Sequence, residues 1–350
     1  MMEILHIKYN LKVVVIIIVI IILAGCENTS DVNTINDANL QIDEVVLPVK
    51  KGDSIGSYCV EGDIVYYSLN PTVGDLEVSE TSKFTADMMT KIYKYNTLSG
   101  ETTLLYCYDV DWQIDVNDMG ICGNILYWDD NLNRDGFQVV GYDLGENKFI
   151  GNIFTFQDIG VDNYIITPDT DGDKIYFSAI DNGVSYVYEY KNNILSKIDR
   201  KIYMMSAYEH LDKWNGLYII TLQDDDKYKI AEMNSKGKTK VVDSLTYEYV
   251  SYLQINENYI SFLSSAERDE LIVINRKNKK KCIYKVKDLF NYGLLNNYII
   301  INCNNYFKII NVVSGEQYEV EQIKDGFYFW LYNEKNTCTS LNENRILIFK

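Results

Sequence analysis

The sequence predicts an all-β chain of the β-propeller class. Two recurring motifs and the spacing between their copies carry that reading. The first motif is a turn that opens a strand of apolar and aromatic residues: Gly62-Asp63-Ile64-Val65-Tyr66-Tyr67, then Gly123-Asn124-Ile125-Leu126-Tyr127-Trp128, then Gly172-Asp173-Lys174-Ile175-Tyr176-Phe177. Looser copies begin at Asn215, Asn258, Asn297 and Asp325, which makes seven. The second motif is a hairpin turn that follows each start, at Gly100, Gly145, Asn193, Gly237, Asn278 and Gly315, in steps of 45, 48, 44, 41 and 37 residues. Gly and Asn recur there because tight hairpin turns need residues that tolerate positive φ. A period of that size with four short strands per unit is a propeller signature, since a blade buries its faces only by stacking on its neighbours.

Composition agrees. The chain of 350 residues holds 30 tyrosines and only 3 prolines, and Tyr and Ile favour strands. No long 3.6-residue period competes. The seventh start is followed by Arg345-Ile346-Leu347-Ile348-Phe349 and no further turn. The run Ile42 to Val49 precedes the first blade without a partner, so it is expected to supply the outer strand of the last blade and close the ring. Pro48 suits an edge. Seven blades are expected; the short last repeat leaves six or eight compatible.

Ahead of the repeats lie two lysines, Lys8 and Lys12, an apolar run from Val13 to Ala24, and the sequence Leu23-Ala24-Gly25-Cys26. Charged region, apolar core and small-residue site are the parts of a secretory signal. Ending on cysteine, the segment resembles the lipobox of bacterial lipoproteins. The resemblance implies acylation of Cys26, cleavage before it, and Cys26 as the new N-terminus. An uncleaved membrane helix is the alternative, but the run is 12 residues and a span needs roughly 20. Either way the remainder is expected outside the cytoplasm, at the cell membrane. The expected organisation is a signal peptide at 1–25, a lipid-anchored tether at 26–41 and a propeller at 42–350. The polar tether would span about 20 Å as a flexible coil.

The repeats also resemble bacterial propeller lipoproteins related to TolB-like and low-density-lipoprotein-receptor-like propellers, closely in the first three copies and loosely thereafter. That resemblance implies an extracytoplasmic binding role and transfers no catalytic residue.

The formal net charge is −17 at pH 7, and removing Glu3, Lys8 and Lys12 makes it one unit more negative. Such a field disfavours nucleic acid and anionic lipid as general partners. Six cysteines lie beyond Cys26 without a CxxC pair. Buried free thiols are the expectation, although an oxidising compartment permits disulfides. Of the 2 histidines only His210 follows the signal, which argues against His-dependent triads and most zinc sites. No cofactor is expected.

Carboxylates are the remaining chemistry. Asp129-Asp130, Asp181 and Asp224-Asp225-Asp226 follow the second strand of successive blades, so they could form an acidic arc on one face; ordinary solvated turns are the plainer reading. Asp169, Asp171 and Asp173 resemble a fragment of a calcium loop but lack its closing glutamate. The longest loops, 68–90 and 108–119, bring in Asp111 and Trp112, the latter a stacking platform or a cap on the core. The run Arg276 to Lys281 is expected as a solvated turn on the rim, with anionic wall polymer or lipid headgroups as the sharper option. The function expected from all this is a binding scaffold, monomeric, for a protein partner or an envelope glycan. A carboxylate-dependent glycosidase or lyase, or an envelope assembly factor, is the alternative.

Overall fold

In a computed structural model the described residues are 40–350, apart from 51, 72–87, 111, 133–137, 160–166, 182–183, 204–210, 288, 304–305, 322–329, 334–335 and 343. The signal, Cys26, His210 and Asp111 therefore lie outside them. No helix among the described residues is long and apolar enough to cross a membrane.

The fold class is the one the repeats predict. After β1 (Ile42–Val46), the first sheet holds β2 (Ser54–Glu61), β3 (Ile64–Asn70), β4 (Lys91–Asn96) and β5 (Thr102–Cys107). The second holds β6 (Val116–Cys122), β7 (Ile125–Asp130), β8 (Gln138–Asp143) and β9 (Lys148–Thr155), followed by the single-turn α1 (Phe156–Ile159). The third holds β10 (Asp169–Thr170), β11 (Ile175–Asp181), β12 (Val184–Lys191) and β13 (Ile194–Ile202). The fourth holds β14 (Lys213–Trp214), β15 (Leu217–Asp224), β16 (Lys227–Asn234) and β17 (Thr239–Val241). The fifth holds β18 (Ser251–Ile255), β19 (Tyr259–Leu263), β20 (Glu270–Asn275) and β21 (Lys281–Lys285). The sixth holds β22 (Leu289–Leu295), β23 (Tyr298–Cys303), β24 (Tyr306–Asn311) and β25 (Gln317–Glu321). The last joins β26 (Trp330–Asn333), β27 (Asn336–Asn342) and β28 (Arg345–Phe349) to β1, with Ile42 opposite Phe349 and Val46 opposite Arg345. Each of the seven is a four-stranded antiparallel sheet.

The seventh start is displaced from its expected place. Asp325 to Phe329 lie outside the described residues, and Trp330 opens the first strand of its sheet, not the second.

Apolar clusters lie between successive sheets. Tyr66, Ile92 and Trp128 join the first to the second. Tyr127 and Phe177 join the second to the third, Tyr176 and Tyr218 the third to the fourth, and Ile219 and Phe262 the fourth to the fifth. Leu271 and Ile299 join the fifth to the sixth. Val45 and Ile348 of the last pack with Tyr58 and Tyr67 of the first. Fully burying one such side chain contributes roughly 1.5–3 kcal/mol, so these inter-sheet layers are the core.

An antiparallel meander puts its first–second and third–fourth connections at the same end. This turn face is stitched by backbone bonds within a sheet, as Thr97 N–H to Asp63 C=O at 2.9 Å and Arg276 N–H to Asn258 C=O at 2.8 Å. It is also stitched between sheets, as Gly123 N–H to Gly172 C=O at 2.9 Å. Gly62 and Gly123 open its hairpins at φ 59° and 60°, which side chains would strain. The third strand supplies a further device. Asn96, Asp143, Asn234, Asn275 and Asn311 end β4, β8, β16, β20 and β24, and each accepts backbone N–H groups of the turn that follows, as from Leu98 at 2.9 Å and Val313 at 3.0 Å. Such side-chain capping fixes the hairpin tip. The opposite, loop face carries the second–third connections and the crossings between sheets.

Cys59 and Cys303 are buried, whereas Cys107, Cys122 and Cys282 are only partly buried. Cys107 and Cys282 lie on outer strands and Cys122 ends the innermost strand of its sheet, so the expected burial holds for two of these five.

Candidate functional site

The expected acidic arc does not assemble. Asp129 and Asp130 are not loop residues; they end β7 opposite Asn117 and Val116 and are buried. Asp130 accepts from the Tyr108 hydroxyl, from Leu132 N–H at 3.0 Å and from Gln138 Nε2 at 3.0 Å. Tyr108 in turn accepts from Trp128 Nε1 at 2.7 Å. Burial raises the Asp130 pKa against the pull of these bonds. Burial raises the Asp129 pKa further, with the charges of Asp118 and Asp130 adding to it, and its Oδ1 has no hydrogen-bond partner. Asp224 pairs with Lys229 at 2.8 Å across its own hairpin, and Asp225 sits exposed in the turn at φ 55°. Asp181 ends β11 opposite Val184, its side chain outside the described residues. Trp112 is partly buried against the core between the first two sheets, a cap on it. Residues 116–119 of the expected loop belong to β6.

The calcium-like run is occupied by protein groups. Asp171 Oδ2 lies 2.5 Å from Lys213 Nζ, and its Oδ1 accepts from the N–H of Asp173 and Lys174 at 3.1 and 3.0 Å. Asp173 pairs with Lys191, and Asp169 Oδ1 accepts from Thr170 N–H at 2.7 Å. Among the described residues no group of three or more His, Cys, Asp or Glu side chains could hold a metal.

Lys213 is the centre of that cluster. Its side chain is 1% exposed, between Asp171 and Glu189 and over the rings of Tyr176 and Tyr218, 5.2 and 4.8 Å from their centroids. Glu189 also receives Lys174 at 3.0 Å, Ser235 Oγ at 2.8 Å and the Tyr218 hydroxyl. Burial alone would raise the pKa of Asp171, but the Lys213 bond and charge more than offset it and hold it below the usual range. Glu189 is lowered in the same way, by Tyr218, Lys174 and Ser235 against burial.

This cluster forms one wall of a groove of about 840 Å³ on the turn face, reaching from the third sheet to the fifth. It is lined by Asp171 and Asp173 of the third sheet, Trp214, Asn215, Gly216 and Lys240 of the fourth, and Glu257, Lys277 and Lys279 of the fifth. Arg276 ties the far wall together, its Nη2 2.8 Å from Glu232 Oε1 and its Nη1 2.6 Å from Asn256 C=O. The run Arg276 to Lys281 is thus not uniformly solvated. Arg276 bridges two sheets and Lys281 pairs with Asp243 at 2.7 Å, while Lys277, Lys279 and Lys280 are exposed. The groove combines rigid ion-paired walls, an aromatic surface and exposed cations around it, which suits a polar ligand with negative charge. Trp214 and Lys213 escaped sequence reasoning. Only the recurrence of Asn-Gly after Trp214 marks that site.

No family model matches the chain, and no curated protein does. Solved propellers are similar in shape. One is a chain titled "Crystal Structure of Mitotic Checkpoint Complex", with TM-score 0.53 and 9% identity over 88% of this chain and 90% of that one. Another is the AfRom2 CNH domain, with TM-score 0.52 and 9% identity over 88% and 98%. A third is BamB from Moraxella catarrhalis, with TM-score 0.44 and 11% identity over 85% and 83%. At these identities the likeness concerns the fold.

Proposed function

We propose that this chain is an extracytoplasmic binding scaffold, anchored to the cell membrane by lipid on Cys26, that holds a protein partner or an envelope glycan. The observation that carries the binding role is the turn-face groove: Trp214 in its lining, walls fixed by the Lys213–Asp171 and Arg276–Glu232 pairs, and Lys240, Lys277 and Lys279 exposed around it. Ion-paired walls need no rearrangement to receive a ligand, which lowers the ordering cost of binding. The lipobox supports the address, and it rests on sequence.

The test is crosslinking in intact cells with the full chain, followed by recovery and mass spectrometry, for the wild type and for Trp214→Ala and Lys277→Glu/Lys279→Glu. The expected result is one defined protein or glycan recovered with the wild type and lost with both variants. Recovery unchanged by the variants would move the site off the groove. Turnover of a sugar or peptide by the purified chain would replace the scaffold with an enzyme.

A further inference from the structure

The tips of the outer hairpins, the third–fourth connections on the turn face, follow a pattern around the ring. The three most exposed large apolar side chains among the described residues are Leu98, Val313 and Ile194, at 80%, 68% and 66%. Leu98 and Val313 stand at equivalent tip positions, each the second residue after its capping asparagine, and Ile194 directly follows the Asn192-Asn193 turn. The two tips between Ile194 and Val313 are lysine-rich: Lys236, Lys238 and Lys240 on the fourth sheet, Lys277, Lys279 and Lys280 on the fifth, all exposed. Lys236 and Lys277 occupy the same tip position as Leu98 and Val313. The last sheet lies between the tips bearing Val313 and Leu98. On it the chain joins the propeller at this same end: Gln41 exchanges backbone bonds with Lys350 at 3.2 and 2.9 Å, and Ile42 faces Phe349. The glutamates of these turns, Glu101, Glu146 and Glu316, belong to the first, second and sixth sheets. The second and third tips carry one exposed lysine each, Lys148 and Lys191, the latter paired with Asp173, so the clusters of three lysines belong to the fourth and fifth.

We infer that the turn face is the membrane-apposed side of the propeller. Leu98, Ile194 and Val313 sit at the headgroup boundary, and the lysines of the fourth and fifth sheets contact anionic lipid headgroups. Apolar tips flanking exposed lysines are the chemistry of an interfacial surface. Basic side chains near an anionic leaflet are attracted within about one Debye length, roughly 8–10 Å. An overall acidic chain is then oriented by the lysine clusters of these two sheets. This rests on the lipid anchor of the proposed function, and Gln41, the start of the described chain's pairing, enters the propeller at this face. It also sets the ligand of the groove: one that reaches it along the bilayer.

The test uses the full chain reconstituted in vesicles of phosphatidylcholine alone or with about 30% phosphatidylglycerol. Flotation after a wash in about 1 M salt, where the Debye length is near 3 Å, reports the lipid anchor alone. Hydrogen exchange then reports the face. We expect severalfold slower exchange at 97–100, 192–194, 235–240 and 312–315 in the anionic vesicles, with the loop-face turns 225–226 and 264–269 unchanged. The variant Lys236→Glu/Lys238→Glu/Lys280→Glu, which spares the lysines lining the groove, should lose the protection while still floating. A chain that floats with unprotected tips, or with protected loop-face turns, overturns the inference and leaves the anchor standing. If the anchor fails the salt wash, about tenfold more binding to anionic than to zwitterionic vesicles at low salt still supports the face, and equal binding overturns it. Protection of the tips by an added envelope protein, with none from lipid, assigns the surface to that protein and overturns it as well.

Discussion

Lys213 Nζ sits 2.5 Å from Asp171 Oδ2 across the junction of the third and fourth sheets, with the lysine side chain withdrawn from solvent. A buried charge is stable only while its partner holds it. Lys213→Met, which keeps the stem and removes the charge, should cost about 3 kcal/mol, since breaking a buried pair strands the other member. Lys213→Met with Asp171→Asn should recover much of that loss. Urea unfolding of the two variants decides it: equal losses would show that the pair is not coupled.

Acid should weaken the same junction. Asp171 and Glu189 have pKa values held below their ordinary ones, with burial opposing and hydrogen-bonded partners prevailing. A lowered folded-state pKa gives stability that is present above the unfolded value and lost as pH falls through the folded one. Stability should therefore decline below about pH 4, and the decline should be shallower in Lys213→Met. Melting temperatures measured across pH 3 to 6 (about the carboxylate range) test this.

The chain Trp128 Nε1 to Tyr108 hydroxyl to Asp130 crosses the first and second sheets inside the core. Tyr108→Phe leaves an indole N–H and a carboxylate oxygen unpaired at once. The expected loss is about 2–3 kcal/mol, read by chemical denaturation. A loss below about 1 kcal/mol would mean that water replaces the hydroxyl.

Asp129 has the opposite sign from Asp171. Its folded-state pKa is raised, by burial first and then by Asp118 and Asp130, and its Oδ1 has no partner. A raised carboxylate stabilises below its unfolded pKa and loses that stability as pH climbs toward the folded value. Asp129→Asn should therefore stabilise the chain at pH 7, on the order of 1 kcal/mol, with the gain vanishing below about pH 4. A destabilised variant at neutral pH would show that the carboxylate is held for a purpose other than packing.

The blade pattern was legible because each copy needs its own turn residues: Gly62, Gly123 and Gly315 at positive φ, and Asn193 at φ 61°. The innermost strands of the third and fourth sheets were not, since β10 and β14 are two residues each and carry no periodicity. Asp129-Asp130-Asn131 reads as a turn in one dimension. Pairing with Val116 and Asn117 is what draws the two aspartates inside. The groove escaped for a related reason. Its residues come from turns about one repeat apart, and neither Lys213 nor Trp214 has a local pattern that sets it apart from a surface residue. The capping asparagines Asn96, Asn234, Asn275 and Asn311 were visible as letters, yet their role appears only with the turns they hold.

The pairing of β1 with β28 has a kinetic consequence. Asp43 meets Lys350 across 307 positions of chain, at 2.6 Å. During synthesis or export β1 thus stays without its neighbour until β28 has been made. Contacts of such sequence separation form slowly because loop closure precedes any reward. Until then the unpaired edge of β28's sheet and the waiting β1 are open to other strands. Closure of β1 on β28 waits for every sheet between them, and a polypeptide lacking either strand would carry that seam unsealed.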